Sequence, residues 1–164
     1  MPINGMEPEM EGKEREVEEF ARELGINAQV IRFSKAVRTV ADVEKLGIDA
    51  KSVVKTLIAK ANGRYYAAIV RGDQKLNLKK LARVVGASSA KMASPEEILK
   101  ITGVPAGAVS PILPYIRDIT VVVDKRVYEL DEAYGGGGSA KALVMFSPRE
   151  YVEKTGAMVA DIAK

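Results

Sequence analysis

One lysine, Lys55, interrupts the apolar run Val53-Val54-Lys55-Thr56-Leu57-Ile58. A cation placed there either reaches solvent along its stem or points into a pocket that needs positive charge. In a strand, Lys55 and Thr56 point to opposite faces, and Lys55 with Lys60 can equally mark the wet faces of an alternating strand. Its importance grows from what the chain lacks. There is no histidine and no cysteine among the 164 residues. Imidazole bases, thiol nucleophiles, disulfides and the usual zinc ligand sets are thereby removed. Chemistry is left to lysine, carboxylates, hydroxyls, backbone amides or groups that a substrate brings. No tight Asp/Glu cluster suggests magnesium, so neither metal nor cofactor is expected.

Two further stretches could present backbone to a ligand. Residues 103–114 carry three prolines and two glycines (Gly103 and Gly107), which forbid a long helix or a central strand. Such a stiff, apolar loop either packs as a connector or holds its N–H groups toward a ligand. Gly135-Gly136-Gly137-Gly138-Ser139 reads as a flexible loop without side chains. It has neither the G-x-G-x-x-G spacing nor the Gly-Lys-Ser/Thr of a phosphate cradle, which argues against a nucleotide-dependent enzyme. Lys79, Lys80 and Arg83 form a basic face on one predicted helix, either solvated or in contact with phosphate.

The elements that would carry these groups follow from periodicity and caps. Residues 1–11 read as a loose tail and 12–164 as one domain. Val17, Phe20, Ala21 and Leu24 recur at helical spacing before Gly25, and residues 29–33 alternate as a strand. Thr39 caps a short helix with Asp42 in its first turn, and Leu46 is expected to close its apolar face. The strand 53–61 meets Asn62-Gly63 and a partner at 64–70, the pattern of a tight hairpin. Asn77 opens the basic helix, and 87–92 is a short strand. Ser94-Pro95-Glu96-Glu97 carries a full helix start. Residues 119–123 form a buried strand, 128–134 an acidic strand or turn, and 142–146 another strand. Ser147-Pro148 opens a last helix, predicted to carry Tyr151, Val152, Val159 and Ile162 toward the C-terminus.

Hydrophobic residues are 47% and charged residues 29%, with a formal charge of +3, the balance of a globular chain with a mild basic excess. That excess suits solubility or a transient nucleic-acid ligand. No apolar run approaches the ~20 residues of a membrane span, so a cytoplasmic protein without membrane partners is expected.

In order along the chain stand Thr39-Val40-Ala41-Asp42, Val54-Lys55-Thr56-Leu57, Gly72-Asp73 before Leu78-Lys79-Lys80-Leu81, and Ala93-Ser94-Pro95-Glu96-Glu97. Thr102-Gly103, Gly107-Ala108-Val109-Ser110-Pro111, Asp124 and the glycine run before Ser147-Pro148 follow. This ordered set resembles the YbaK family, related to the editing domain inserted in bacterial prolyl-tRNA synthetases. The resemblance implies an α+β fold, a mixed, largely antiparallel, barrel-like sheet with surrounding helices. It also implies hydrolysis of mischarged aminoacyl-tRNA carrying a Cys-, Ala- or Ser-group, with tRNA(Pro) the first tRNA to expect and prolyl-tRNA synthetase the partner to test; DNA is not expected. The family's essential lysine maps onto Lys55 and its loop glycine onto Gly107. Thr56, Thr39, Ala108, Ser110, Gly136 and Gly137 are the expected substrate-binding residues, with Lys79, Lys80 and Arg83 as tRNA contacts. The loop reads Gly-Val-Pro-Ala-Gly, its proline one position earlier than in the family's Gly-x-x-Pro-Gly form, which bears on substrate preference. The alternative is a non-catalytic module that grips the tRNA acceptor end or a synthetase.

Overall fold

A computed structural model of the chain describes residues 12–37 and 39–164; the tail expected over 1–11 lies outside them. The first helix, α1, runs Gly12–Leu24 and buries Val17, Phe20 and Ala21. Full burial of a side chain such as Val17 or Phe20 contributes about 1.5–3 kcal/mol, so packing rather than propensity holds this helix. Strand β1 is Gln29–Arg32 and helix α2 is Val40–Glu44, which opens with a capping box between Thr39 and Asp42. Leu46 does not close its face: α2 ends at Glu44, Gly47 takes φ 83°, and Leu46 is left exposed.

The predicted hairpin is present as β2, Val54–Ala61, and β3, Arg64–Arg71, in register from Val54–Arg71 to Ala61–Arg64. Helix α3, Leu78–Val85, starts at the Asn77 cap and stops at left-handed Gly86. Strand β4 is Ala90–Met92, shorter than the run expected over 87–92, and α4, Pro95–Thr102, carries the Ser94–Glu97 capping box. Strand β5 is Thr120–Asp124. A helical turn α5, Lys125–Tyr128, follows, capped by Asp124, where the sequence suggested no helix and a strand or turn over 128–134.

Two expectations fail near the C-terminus. Gly135 and Gly136 are not in a loop: they complete β6, Ala133–Gly136, paired antiparallel with β7, Ala142–Phe146. Glycine lacks the side-chain alternation by which a strand is read, so the pairing leaves no pattern in sequence. The last helix, α6, covers only Pro148–Thr155, because Gly156 at φ 72° ends it. Val159 then lies in an edge strand β8, Met158–Ala160, paired parallel with β5, and Ile162 follows it.

The sheets are ordered β1-β7-β6 and β4-β2-β3-β5-β8, with only the β3–β5 and β5–β8 pairings parallel. This is the mixed, largely antiparallel α+β fold that the sequence led us to expect, its curl shared between two sheets that touch at Val53 and Tyr134. The main core lies on the Val54–Ile58 face of β2, under α1, α4 and α6, and a second core on the Ala59–Val70 face packs against α3. Among the described residues, no helix is long and apolar enough to cross a membrane.

Candidate functional site

The site grows out of an unpaired stretch of β2. On one side β2 pairs with β3 along its whole length, but on the other β4 covers only Ala59–Ala61. Val53 C=O accepts from Gly72 N–H (2.7 Å), so Lys55 and Leu57 turn their backbone groups toward β3. Val54, Thr56 and Ile58 turn theirs the other way, and Ile58 C=O duly accepts from Ala93 N–H (3.0 Å). The peptide groups of Thr56 therefore face the open edge.

That edge forms one wall of a cleft of about 220 Å³. Val37, Val40, Val43 and Leu143 make its apolar side, the turn Ala106–Ala108 crosses it, and Gly136 and Ser139 close it. Of the residues expected from sequence, it brings together Lys55, Thr56, Thr39, Gly107 and Gly136. Thr39's hydroxyl is engaged in its cap, accepting from Asp42 N–H at 3.1 Å. Gly107 is exposed, has no left-handed backbone, and a Cβ added there would meet nothing within 4 Å. The fold does not require glycine at 107, whereas Gly136 is required: a Cβ there would stand 2.3 Å from the Val109 carbonyl oxygen.

Two polar groups in the cleft are poised without partners. Thr56 is 6% exposed, and its hydroxyl oxygen is buried with no hydrogen bond. A hydroxyl held so costs stability unless something pairs with it, which makes Thr56 a candidate ligand contact. The half-buried Lys55 has no ion pair or hydrogen bond among the described residues. Burial first, and Lys75 second, push its ammonium below the ordinary lysine range, while Asp73 opposes the shift. Asp73 cannot serve fully as its counter-ion, because its carboxylate accepts from Arg71 at 2.9 and 2.5 Å. The cleft thus offers a cation and a hydroxyl uncommitted among the described residues, a strand edge that β4 leaves uncovered and a shape limited by valines.

The remaining expected residues lie elsewhere. Ser110 is fully buried, its hydroxyl accepting from Ile112 N–H (3.1 Å) and its carbonyl from the Tyr115 hydroxyl (2.7 Å). Ala108 is buried, and Gly137 is buried with its N–H on Ala142 C=O (3.0 Å); none of these three lines the cleft. Lys79 and Arg83 are exposed beside a separate surface hollow, and Lys80 bonds to Asp161 (3.1 Å) and Ala163 C=O (2.9 Å). Sequence reasoning passed over Ser139 and the apolar wall. Val40 and Val43 do show helical spacing, but it is the spacing of any core-facing helix.

A larger hollow of about 340 Å³ lies between Phe20, Leu24, Arg117 and Lys154. Arg117 there is spent on Glu23 (3.1 Å) and on the Phe20 ring, and no unpartnered buried polar atom faces it. The smaller cleft is the stronger candidate for chemistry.

Residues 34–154 match the aminoacyl-tRNA editing domain family. The proline–tRNA ligase of Acidithiobacillus ferrooxidans is 34% identical over 119 residues, which are 72% of this chain and 20% of the ligase. That of Thermosipho melanesiensis is 38% identical over 102 residues, 62% of this chain and 18% of the ligase. The chain therefore spans about a fifth of the length of these curated relatives. Among solved structures, a hypothetical protein superposes with a TM-score of 0.84 at 39% identity, over 91% of this chain and 99% of the other. A candidate trans-editing enzyme for prolyl-tRNA synthetase also gives 0.84, at 27% identity over 95% and 99%.

Proposed function

The chain belongs to the aminoacyl-tRNA editing domain family, and from that premise we propose that it is a trans-editing deacylase. It hydrolyses the ester of a mischarged tRNA, carrying a Cys-, Ala- or Ser-group, on tRNA(Pro). The observation that carries this reading is the cleft in which Lys55, the unpartnered Thr56 hydroxyl and the open turn at Gly107 converge. The likeness to a candidate trans-editing enzyme over 99% of its chain supports action on a separately bound tRNA, in a cytoplasmic setting.

An aminoacyl ester is an activated acyl group, so placing the reactants and stabilising the developing oxyanion can replace a strong base. This suits a chain without histidine or cysteine. Lys55 holds a phosphate of the terminal adenosine by a charge-assisted contact, and the Thr56 edge fixes the ribose. The carbonyl oxygen is set against amides of the turn at Gly107, where the absent side chain leaves room. Water, or the thiol of a cysteinyl substrate itself, adds to the carbonyl carbon. Collapse of the tetrahedral intermediate then breaks the ester C–O bond, and the ribose oxygen leaves with a proton. Valine and leucine walls in a space of about 220 Å³ favour small aminoacyl groups over bulky ones.

The test is release of labelled amino acid from Cys-, Ala- and Ser-charged tRNA(Pro), with wild type beside Lys55→Ala. Turnover on at least one substrate, lost in the variant, is expected. Tight tRNA binding without turnover on any of them would overturn the deacylase reading in favour of a non-catalytic acceptor-end module.

A further inference from the structure

The Gly136–Ser139 wall of the cleft is held from outside the family-matched segment. Glu14, on the first turn of α1, is completely buried. Its Oε1 accepts from Arg32 Nε at 2.5 Å, and its Oε2 accepts from the Ser139 hydroxyl at 2.5 Å. Ser139 in turn accepts from Lys141 N–H (3.1 Å), and Arg32 is itself only 11% exposed. A buried carboxylate with a buried guanidinium is costly to assemble and loses much when either partner is removed. Its placement here couples three segments far apart in sequence.

The backbone around Ser139 shows what this cluster fixes. Gly138 has φ 99°, and a Cβ there would stand 2.7 Å from Lys13 C=O, so the turn lies directly on the α1 backbone. On its other flank, a Cβ at Gly137 would stand 2.7 Å from the Ala142 carbonyl carbon. Ala140 C=O accepts from Val37 N–H (2.6 Å), and Lys141 C=O accepts from Phe33 N–H (2.8 Å). Gly136, Ser139 and Val37 all line the cleft, whereas Glu14 does not. A side-chain bond from α1 thus anchors the turn that carries Gly136 and Ser139 and that accepts from Val37 N–H at Ala140.

We propose that Glu14 is a positioning residue for the cleft, acting through the Ser139 hydroxyl on the Gly136–Lys141 turn. Its kinetic consequence rests on the deacylase reading; its structural consequence does not. The substitution Glu14→Gln removes the charge that Arg32 pairs with and leaves one acceptor oxygen for both Arg32 and Ser139, with little change of volume. Ser139→Ala removes the Glu14–Ser139 link and leaves the Glu14–Arg32 pair in place, so it remains informative if Glu14→Gln folds poorly.

The experiment pairs amide hydrogen exchange over residues 136–141 with steady-state deacylation of mischarged tRNA(Pro), on the full chain. Both variants should lose protection in that segment while β2 and β3 keep theirs. Each should lower kcat/KM by about tenfold, chiefly through KM, the size of effect that a misplaced wall produces. In the double variant the loss of protection over 136–141 should be smaller than the sum of the two single losses, because both changes weaken the Glu14–Ser139 link. Ser139→Thr, which keeps the hydroxyl, should restore protection over 136–141. Unchanged exchange at 136–141 in both single variants overturns the proposal, whether or not the chain proves to be a deacylase. So does a Glu14→Gln protein that melts earlier yet keeps wild-type kcat/KM well below its Tm, or losses of protection that simply add.

Discussion

Thr56 and Thr102 form a built-in comparison. Each is 6% exposed, yet the Thr102 hydroxyl donates to Ile98 C=O (2.7 Å) and lies within reach of Val104 C=O (3.0 Å) and Val104 N–H (3.3 Å), while the Thr56 hydroxyl meets no partner. Replacing Thr56 by valine keeps the shape and β-branching and removes a buried hydroxyl whose desolvation costs about 1–3 kcal/mol when unmade. The new buried methyl adds about 0.8 kcal/mol of transfer energy. The expected net is a gain of about 2–4 kcal/mol, read as a rise in Tm of roughly 2–4 °C per kcal/mol for a chain of this size. The same change at Thr102 should destabilise by about 1–3 kcal/mol, since it strands backbone groups that the hydroxyl now satisfies.

Stability and activity should then part company. If the Thr56 hydroxyl pairs with substrate, Thr56→Val leaves a buried substrate group unpaired, and kcat/KM should fall about 5- to 150-fold, the equivalent of about 1–3 kcal/mol. The assay is urea and thermal unfolding by circular dichroism, beside deacylation of mischarged tRNA(Pro). A Thr56→Val protein that melts several degrees lower would show that the hydroxyl serves the fold. A protein that is more stable and fully active would show that Thr56 does not touch the substrate. Either result refutes the reasoning.

Gly107→Ala should leave Tm unchanged or slightly raised, because the backbone there accepts a side chain at no strain, while kcat/KM falls by at least about tenfold as a methyl enters the cleft. Lys55 titrates below the ordinary lysine range, so between its lowered value and that of the unfolded chain the fold holds fewer protons; its contribution to stability therefore rises with pH across that window. Affinity for uncharged tRNA(Pro) should run the other way, falling as pH climbs through the lowered value, and filter binding should show no such fall in Lys55→Arg. Asp124 is fully buried and accepts from Ile162 N–H (2.9 Å) and Ala163 N–H (3.1 Å), so Asp124→Ala should cost about 3 kcal/mol and expose β8 to limited proteolysis.

What could be read from sequence was what is local. The Asn62-Gly63 hairpin, the Asn77 and Ser94 caps and the apolar stripe of α1 each carry their signal within a few residues, and each is found in place. The errors have local causes too. Gly156 was an available stop for α6, but Val159 and Ile162 fitted a helical spacing by chance, and their true partners on β5 and around Leu76 are distant in sequence. The glycines of β6 gave no alternation to read, since what they supply is the absence of a side chain where Val109 and Pro111 press close.

The cleft itself is the least local feature. The residue types at Lys55 and Gly107 could be singled out, but nothing near Lys55 shows that β4 stops at Ala59 and leaves the Thr56 edge open. Nor does anything near Lys80 reveal that Asp161 and the Ala163 carbonyl occupy its ammonium. Of the two groups of basic residues visible in the sequence, one is partly engaged in holding the C-terminal strand, while the lysine in the apolar run remains uncommitted. A charged group is a candidate for substrate only when the fold leaves it unpaired, and pairing is decided by the sheet, not by composition. That is why the half-buried, unpaired Lys55 is a stronger candidate than the helix whose Lys80 is already bonded to Asp161 and the Ala163 carbonyl.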